Sequence, residues 1–222
     1  MEDDAELVDK GQYQRIVGKL IYLSITRLDI AHAIGVVSQF MHPPQVHHFE
    51  AAMRIIRYLK KTPGHGVILK KNGHLETQIY TNASWAAEKG DRRSTSGFFT
   101  IVGGNLVAWR SKKQKVVSLS SAESEFREIG FSPKEAIQIL CDNEAAIAIS
   151  ENPVQHDLTK HVEIDRHFIR EKLDGEIISL SSIRSEDQLA DILTKSVNGR
   201  LFSDVLSKLN IGDPTIQLEG EY

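Results

Sequence analysis

The sequence holds one cysteine, Cys141, so an internal disulfide is excluded and a reducing compartment suits it. Long apolar runs are missing too. None approaches the roughly 18 residues of a membrane-spanning helix, so no membrane segment is expected. There is no surplus of positive charge: 27 Lys and Arg stand against 30 Asp and Glu, a formal net charge of -3. Bulk attraction for a polyanion is thereby excluded, and any contact with nucleic acid must come from local basic patches. The opening MEDDAELVDK lacks the basic-then-apolar order of a secretory signal. The expected location is intracellular, cytoplasmic or nuclear. Internal repeats and low-complexity tracts are absent, and no small-molecule cofactor is expected.

What is present is 41% hydrophobic residues over 222 positions, enough to bury the core of one medium domain or two small ones. Residues 1–70 carry helical spacing. Ile16, Leu20 and Leu23 form one stripe; Ile30, Ile34, Val37 and Met41 form another, which Asp29 introduces and Pro43-Pro44 ends. Ala52, Ile55, Ile56 and Leu59 form a third, stopped by Thr62-Pro63-Gly64. Such stripes are ordinarily core, and this layer is read as packing.

From Leu75 the period changes. ETQIYT, GFFTIVGG and NLVAWRS read as three strands, with Gly103-Gly104-Asn105 as a tight turn between the second and third. The helical stretch SAESEFREI follows, then the strand AIQILC and the short helix NEAAIAIS. TKHVEIDRHFIREKL reads as a longer helix, EIISLSSI as a fifth strand and SEDQLADILTK as a last core helix. A three-strand meander followed by alternating helices and strands predicts a mixed five-stranded sheet with flanking helices, an α/β layer fold behind a small helical segment. The division expected is 1–70 helical, 75–195 α/β, and 196–222 a C-terminal helix and tail.

Three carboxylates stand where such a fold gathers side chains: Glu123 in the first turn after the third strand, Asp142 directly after the fourth, and Asp191 in the last helix. Clustered carboxylates suit a hard cation, Mg²⁺ or Mn²⁺, and a pair of such ions activates water for phosphodiester hydrolysis. Each also has a plainer reading. Glu123 completes a capping box with Ser120, Asp142-Asn143 caps a helix, and Asp191 pairs with Lys195 at i,i+4 on a helix surface. His156, His161, Asp165 and His167 fit no zinc signature, and Cys141 has no arranged base. Two basic patches, Arg92-Arg93 and the run containing Arg110, Lys112, Lys113 and Lys115, are placed near turns on one side of the meander. They suit phosphate contact or solvated hairpin ends equally.

The run YTNASW…DRRSTSG…LVAWRSKKQKVVSLSSAESEF…CDNEAAI…QLADILTK resembles the C-terminal part of the Pol polyprotein of plant Copia-type (Ty1/copia) LTR retrotransposons. The resemblance covers nearly the whole chain. It implies a reverse-transcriptase connection segment in residues 1–70, without the polymerase's paired aspartates, and a ribonuclease H domain in 75–195. The implied activity is cleavage of RNA in an RNA–DNA hybrid. Of the family's four metal-binding carboxylates, Glu123, Asp142 and Asp191 match, while the first falls on Asn82. Leu28 stands where the family has proline, and Ser84 where it has aspartate. The segment between the SSAESEF and CDN motifs is shorter than the family's. An asparagine offers one neutral carbonyl oxygen in place of two charged ones, so catalysis is expected to be impaired. A non-catalytic protein binding RNA or an RNA–DNA hybrid, and a transposon relic without function, remain the alternatives.

Overall fold

The computed structural model describes residues 8–84, 94–113, 136–151 and 169–214. Two compact units emerge, one of residues 1–69 with 196–222 and one of residues 70–195.

In the first unit, α1 (Lys10–Leu23) begins where the Asp9 carboxylate accepts from the Gln12 amide at 3.1 Å. It buries Tyr13, Val17 and Leu20. Ile16 and Leu23, two of the three residues of the expected stripe, pack at its margin. Two 3-10 turns flank α2 (Ala31–Val37). After Pro43-Pro44, α3 (Val46–Lys61) starts on a reciprocal cap between Gln45 and His48, with Lys60 and Lys61 at its negative end. Tyr13, Val17, Leu20, Ile30, Ile34, Val37, Ala52 and Ile55 form the shared core.

Asp29 precedes α2, as expected, but its carboxylate is not a helix cap. It lies in the turn Leu28–Ile30, buried, where the Arg27 guanidinium donates to both its oxygens. Residues 196–214 hold the expected C-terminal helix and join the first unit. Strand β1 (Gly66–Val67) pairs antiparallel with a late strand, Ile211–Gly212. The helix Gly199–Lys208 sets Phe202 edge-on to Tyr58, ring centres 6.3 Å apart. Burying Val205, Leu206, Leu209 and Ile211 ties this segment to the N-terminal helices.

The second unit is built on a five-stranded sheet. β2 (Thr77–Ser84), β3 (Thr95–Val102) and β4 (Asn105–Lys113) form the antiparallel meander. β5 (Ile137–Cys141) runs parallel to β2, and β6 (Ile178–Ser182) parallel to β5, giving the order β4-β3-β2-β5-β6. The turn after β3 needs two residues at positive φ, and Gly103 and Gly104 supply them at 56° and 74°. Strand alternation splits the sheet into two faces. Ile79, Phe98, Ile137 and Ile178 make one core, covered by Ile169 and Leu173. On the opposite face Tyr80 stacks on Phe99, ring centres 5.0 Å apart.

One expectation requires correction. SEDQLADILTK is not an α-helix but two 3-10 turns, Ser185–Asp187 and Leu189–Leu193. Gln188 between them is extended, its Nε2 donating to the Thr81 carbonyl at 3.0 Å and its Oε1 accepting from the Ala190 amide at 3.1 Å. These bonds anchor the segment to β2 and interrupt helical continuity. β4 runs on past the expected strand end at Ser111 to Lys113, so Arg110, Lys112 and Lys113 all stand on it.

Candidate active site

Asn82 lies on β2 directly opposite Gly97 on β3, and Gly97 opposite Ser111 on β4. This row forms a floor beneath the turn Leu189–Leu193. Gly97 is required there: a Cβ at this position would sit 2.5 Å from the Leu193 Cβ and 3.0 Å from the Thr194 Cγ2. Ser111 ties down the same turn by donating from Oγ to the Leu193 carbonyl at 2.6 Å.

The turn brings Asp191 over Asn82. The Asn82 Nδ2 donates to Asp191 Oδ1 at 2.6 Å and to Thr194 Oγ1 at 2.8 Å. Lys195 closes the other side, its Nζ 2.8 Å from Asp191 Oδ2. Asp191 is buried, and that burial pushes its carboxyl above the usual carboxylate range. Lys195 pulls it back, and the charge of Asp142 pushes in the same direction as burial.

Asp142 reaches this end of the sheet by strand register. Leu140 is opposite Tyr80, so Asp142 leaves β5 two residues on, as Asn82 lies two residues on along β2. Its Oδ2 accepts from the Ser185 Oγ at 3.2 Å. The neighbouring Asn143 caps the helix Glu144–Glu151, accepting from the Ala146 amide at 3.0 Å. Cys141 is inert by this geometry: burial raises its thiol, and its Sγ accepts only weakly from the Asn143 amide at 3.4 Å.

Compared with known proteins, the chain is 39% identical over 223 residues to the retrovirus-related Pol polyprotein from transposon RE1 of Arabidopsis thaliana. That match takes in 93% of this chain and 15% of the polyprotein. The likeness to Pol polyproteins of copia-type transposons runs along most of the chain. The chain spans about a sixth of the polyproteins' length. It is also 40% identical over 126 residues, 56% of this chain, to the secreted RxLR effector protein 161 of Plasmopara viticola, covering 89% of that protein. No protein-family model matches. Among solved structures, a foamy viral protease-reverse transcriptase in complex with RNA/DNA hybrid superposes with a TM-score of 0.54, over 86% of this chain and 27% of that one, at 10% identity. The α/β unit thus has a ribonuclease H-like fold, a mixed five-stranded sheet with flanking helices.

Of the four carboxylate positions that the sequence resemblance implies, the fold joins Asn82 to Asp191 directly and sets Asp142 within electrostatic reach. Glu123 lies outside the described residues, as do Arg92, Arg93, Lys115 and the cluster of His156, His161, Asp165 and His167.

The described residues do not fit a magnesium pair. Such ions need oxygen lone pairs facing them. Here one Asp191 oxygen is taken by an amide N–H and the other by an ammonium. The amide orientation is fixed as well, since an Asn82 oxygen 2.6 Å from a carboxylate oxygen would be repelled. Among the described residues there is no group of three or more His, Cys, Asp or Glu able to hold a metal ion.

Three side chains of this site carry no signal in the sequence: Thr194, Ser111 and Gln188. Each acts through a hydrogen bond to a residue far along the chain, which only the folded register creates. The basic run on β4 is divided by the same register. Lys113 is opposite Thr95, which is in turn opposite Ser84, on the Asn82 face, whereas Arg110 and Lys112 belong to the Ile79 face.

Proposed function

We propose that residues 70–195 are a ribonuclease H-fold module that holds an RNA–DNA hybrid, or RNA, while cutting it poorly or not at all. The observation that carries this reading is the Asn82 amide on Asp191: a hydrogen-bond donor stands where the family resemblance implies a charged oxygen. Hydrolysis of the RNA strand, with Mg²⁺ or Mn²⁺ held at Glu123, Asp142 and Asp191, is the chemistry from which this site departs. Support for the substrate class comes from the fold and from the foamy viral enzyme, which was solved on RNA/DNA hybrid. The candidate phosphate contacts are drawn from the basic residues Arg92, Arg93, Arg110, Lys112, Lys113 and Lys115, of which Lys113 shares the Asn82 face while Arg110 and Lys112 stand on the other. Its place of action is then inside the cell, in the cytoplasm or nucleus. Among the described residues no helix is long and apolar enough to cross a membrane.

The test is a labelled RNA–DNA hybrid incubated with the chain and Mg²⁺, with binding and cleavage read in parallel. Retention of the hybrid with background cleavage supports the reading. Asn82→Asp is expected to raise cleavage on the order of 10²-fold, and Asn82→Asp with Asp142→Asn to abolish the gain. Rapid Mg²⁺-dependent cutting by the unaltered chain overturns impairment. No binding to hybrid or RNA leaves the transposon relic as the answer.

A further inference from the structure

We propose that the Lys195 ammonium is the resident cation of this site, so that the folded unit neither needs nor recruits Mg²⁺. The inference rests on reading the unit as a ribonuclease H-fold module, and it deepens that reading.

A carboxylate 7% exposed at its side chain requires a countercharge. Lys195 supplies it at 2.8 Å, and its own side chain is 48% exposed, so its stem reaches the site from solvent without a second buried charge. The placement is built into the backbone. The amides of Thr194 and Lys195 both donate to the Asp191 carbonyl, each at 3.0 Å, which fixes where the lysine leaves the turn. Asn82 completes the enclosure. It satisfies the second carboxylate oxygen and adds no charge of its own.

Charge counting follows from this. With an aspartate at position 82, two carboxylates would meet at hydrogen-bond distance, with Asp142 in electrostatic reach. One ammonium cannot neutralise them, and a divalent ion is needed. With asparagine, the ammonium suffices for Asp191. A divalent ion entering here must expel Lys195 and turn the Asn82 amide away. Lys195 is therefore a positioning residue that holds Asp191 and the turn Leu189–Leu193 in place.

The experiment is thermal melting of the full chain in EDTA, in Mg²⁺ and in Mn²⁺. Binding to the native state alone raises the melting temperature in proportion to ln(1 + [ion]/Kd). The unaltered chain and Lys195→Arg are expected to melt at one temperature in all three. Lys195→Met and Asn82→Asp are each expected to melt several degrees lower in EDTA and to recover with Mg²⁺. A Mg²⁺-dependent rise in the unaltered chain as large as that of Asn82→Asp overturns the proposal. So does a Lys195→Met chain as stable as its parent in EDTA, or one insensitive to Mg²⁺. Should Lys195→Met fail to fold, Mn²⁺ binding to the unaltered chain and to Lys195→Arg, read by water-proton relaxation, decides: micromolar affinity overturns the proposal, and its absence supports it. The two readings fail separately. Metal-independent melting without hybrid binding ends the functional proposal alone, whereas hybrid binding with metal-dependent melting ends this one alone.

Discussion

Gly97 and Leu193 meet so closely that β3 has no room for a side chain beneath the turn that carries Asp191. A methyl group at position 97 would lie 2.5 Å from the Leu193 Cβ. Leu193 is fully buried and cannot retreat toward solvent. Gly97→Ala is expected to cost about 1–3 kcal/mol, the usual range for overpacking. It should also speed hydrogen exchange at the amides of Thr194 and Lys195, which bond to the Asp191 carbonyl. Gly199→Ala is the control. A Cβ there meets nothing within 4 Å, and the change is expected to be neutral or slightly stabilising. Equal melting of the two variants would refute the close-approach argument.

In the first unit the corresponding dependence is between Arg27 and Asp29. The guanidinium donates from Nε at 2.9 Å and Nη2 at 2.6 Å to the carboxylate, and again to Thr62 Oγ1 at 2.9 Å where α3 ends. Their side chains are 8% and 0% exposed. Asp29→Ala strands a buried cation and is expected to cost about 3–5 kcal/mol. Replacing both residues with apolar ones of similar volume, Arg27→Met with Asp29→Leu, should cost less than the single change. Urea unfolding followed by helical circular dichroism measures both. A double variant less stable than Asp29→Ala would mean that the pair is worth more than its desolvation.

Tyr58 gives this network a pH dependence. Its hydroxyl donates to Asp29 Oδ2 at 2.8 Å, and burial first, then the Asp29 charge, push its ionisation above the ordinary tyrosine value. In the unfolded chain the phenol ionises near pH 10. A pKa raised on folding contributes stability that is complete below the unfolded value and is lost as pH rises through the folded one. The first unit should therefore weaken as pH climbs above about 10. Tyr58→Phe should start lower, by roughly the 1–3 kcal/mol of a lost hydrogen bond to a charged group, and lose less over the same interval. Parallel pH profiles for parent and variant would exclude Tyr58 as the source.

These particulars mark how far the sequence could be read. Alternation and the Gly103-Gly104 turn sufficed for the meander, since both signals are local. Leu189, Ile192 and Leu193 keep the i, i+3, i+4 spacing of a helix, yet the segment is 3-10. What decides is the Gln188 amide on the Thr81 carbonyl, 107 residues away. The Asp191–Lys195 pair was visible as an i,i+4 spacing, but its burial was not, and burial changes its meaning from surface decoration to counterion. Asn82 was legible as a lost carboxylate. That its amide faces Asp191 as a donor depends on the partner, which no spacing reveals. Arg27 and Asp29 are two apart, a separation that puts side chains on different sides of a helix; Arg27 stands before the turn in a non-helical conformation, φ -122° and ψ 84°, and its side chain folds onto Asp29.

The last prediction concerns which basic residues touch a nucleic acid. Positions 110, 112 and 113 look equivalent as a run of charge, but register separates them. Lys113 shares the face of Asn82, and Arg110 and Lys112 share the face packed beneath Ile169 and Leu173. If a hybrid lies across the Asn82 end of the sheet, Lys113→Ala should weaken binding and flatten the slope of log affinity against log salt by about one. Arg110→Ala and Lys112→Ala should alter that slope little, since a phosphate on one face is screened from a charge on the other by the sheet between them. Binding of a labelled hybrid at several salt concentrations gives the slopes directly. Equal losses from all three substitutions would mean that the nucleic acid follows the edge strand β4 rather than the Asn82 face. A loss at Arg110 and Lys112 alone would place it on the Ile79 side and separate binding from the candidate active site altogether.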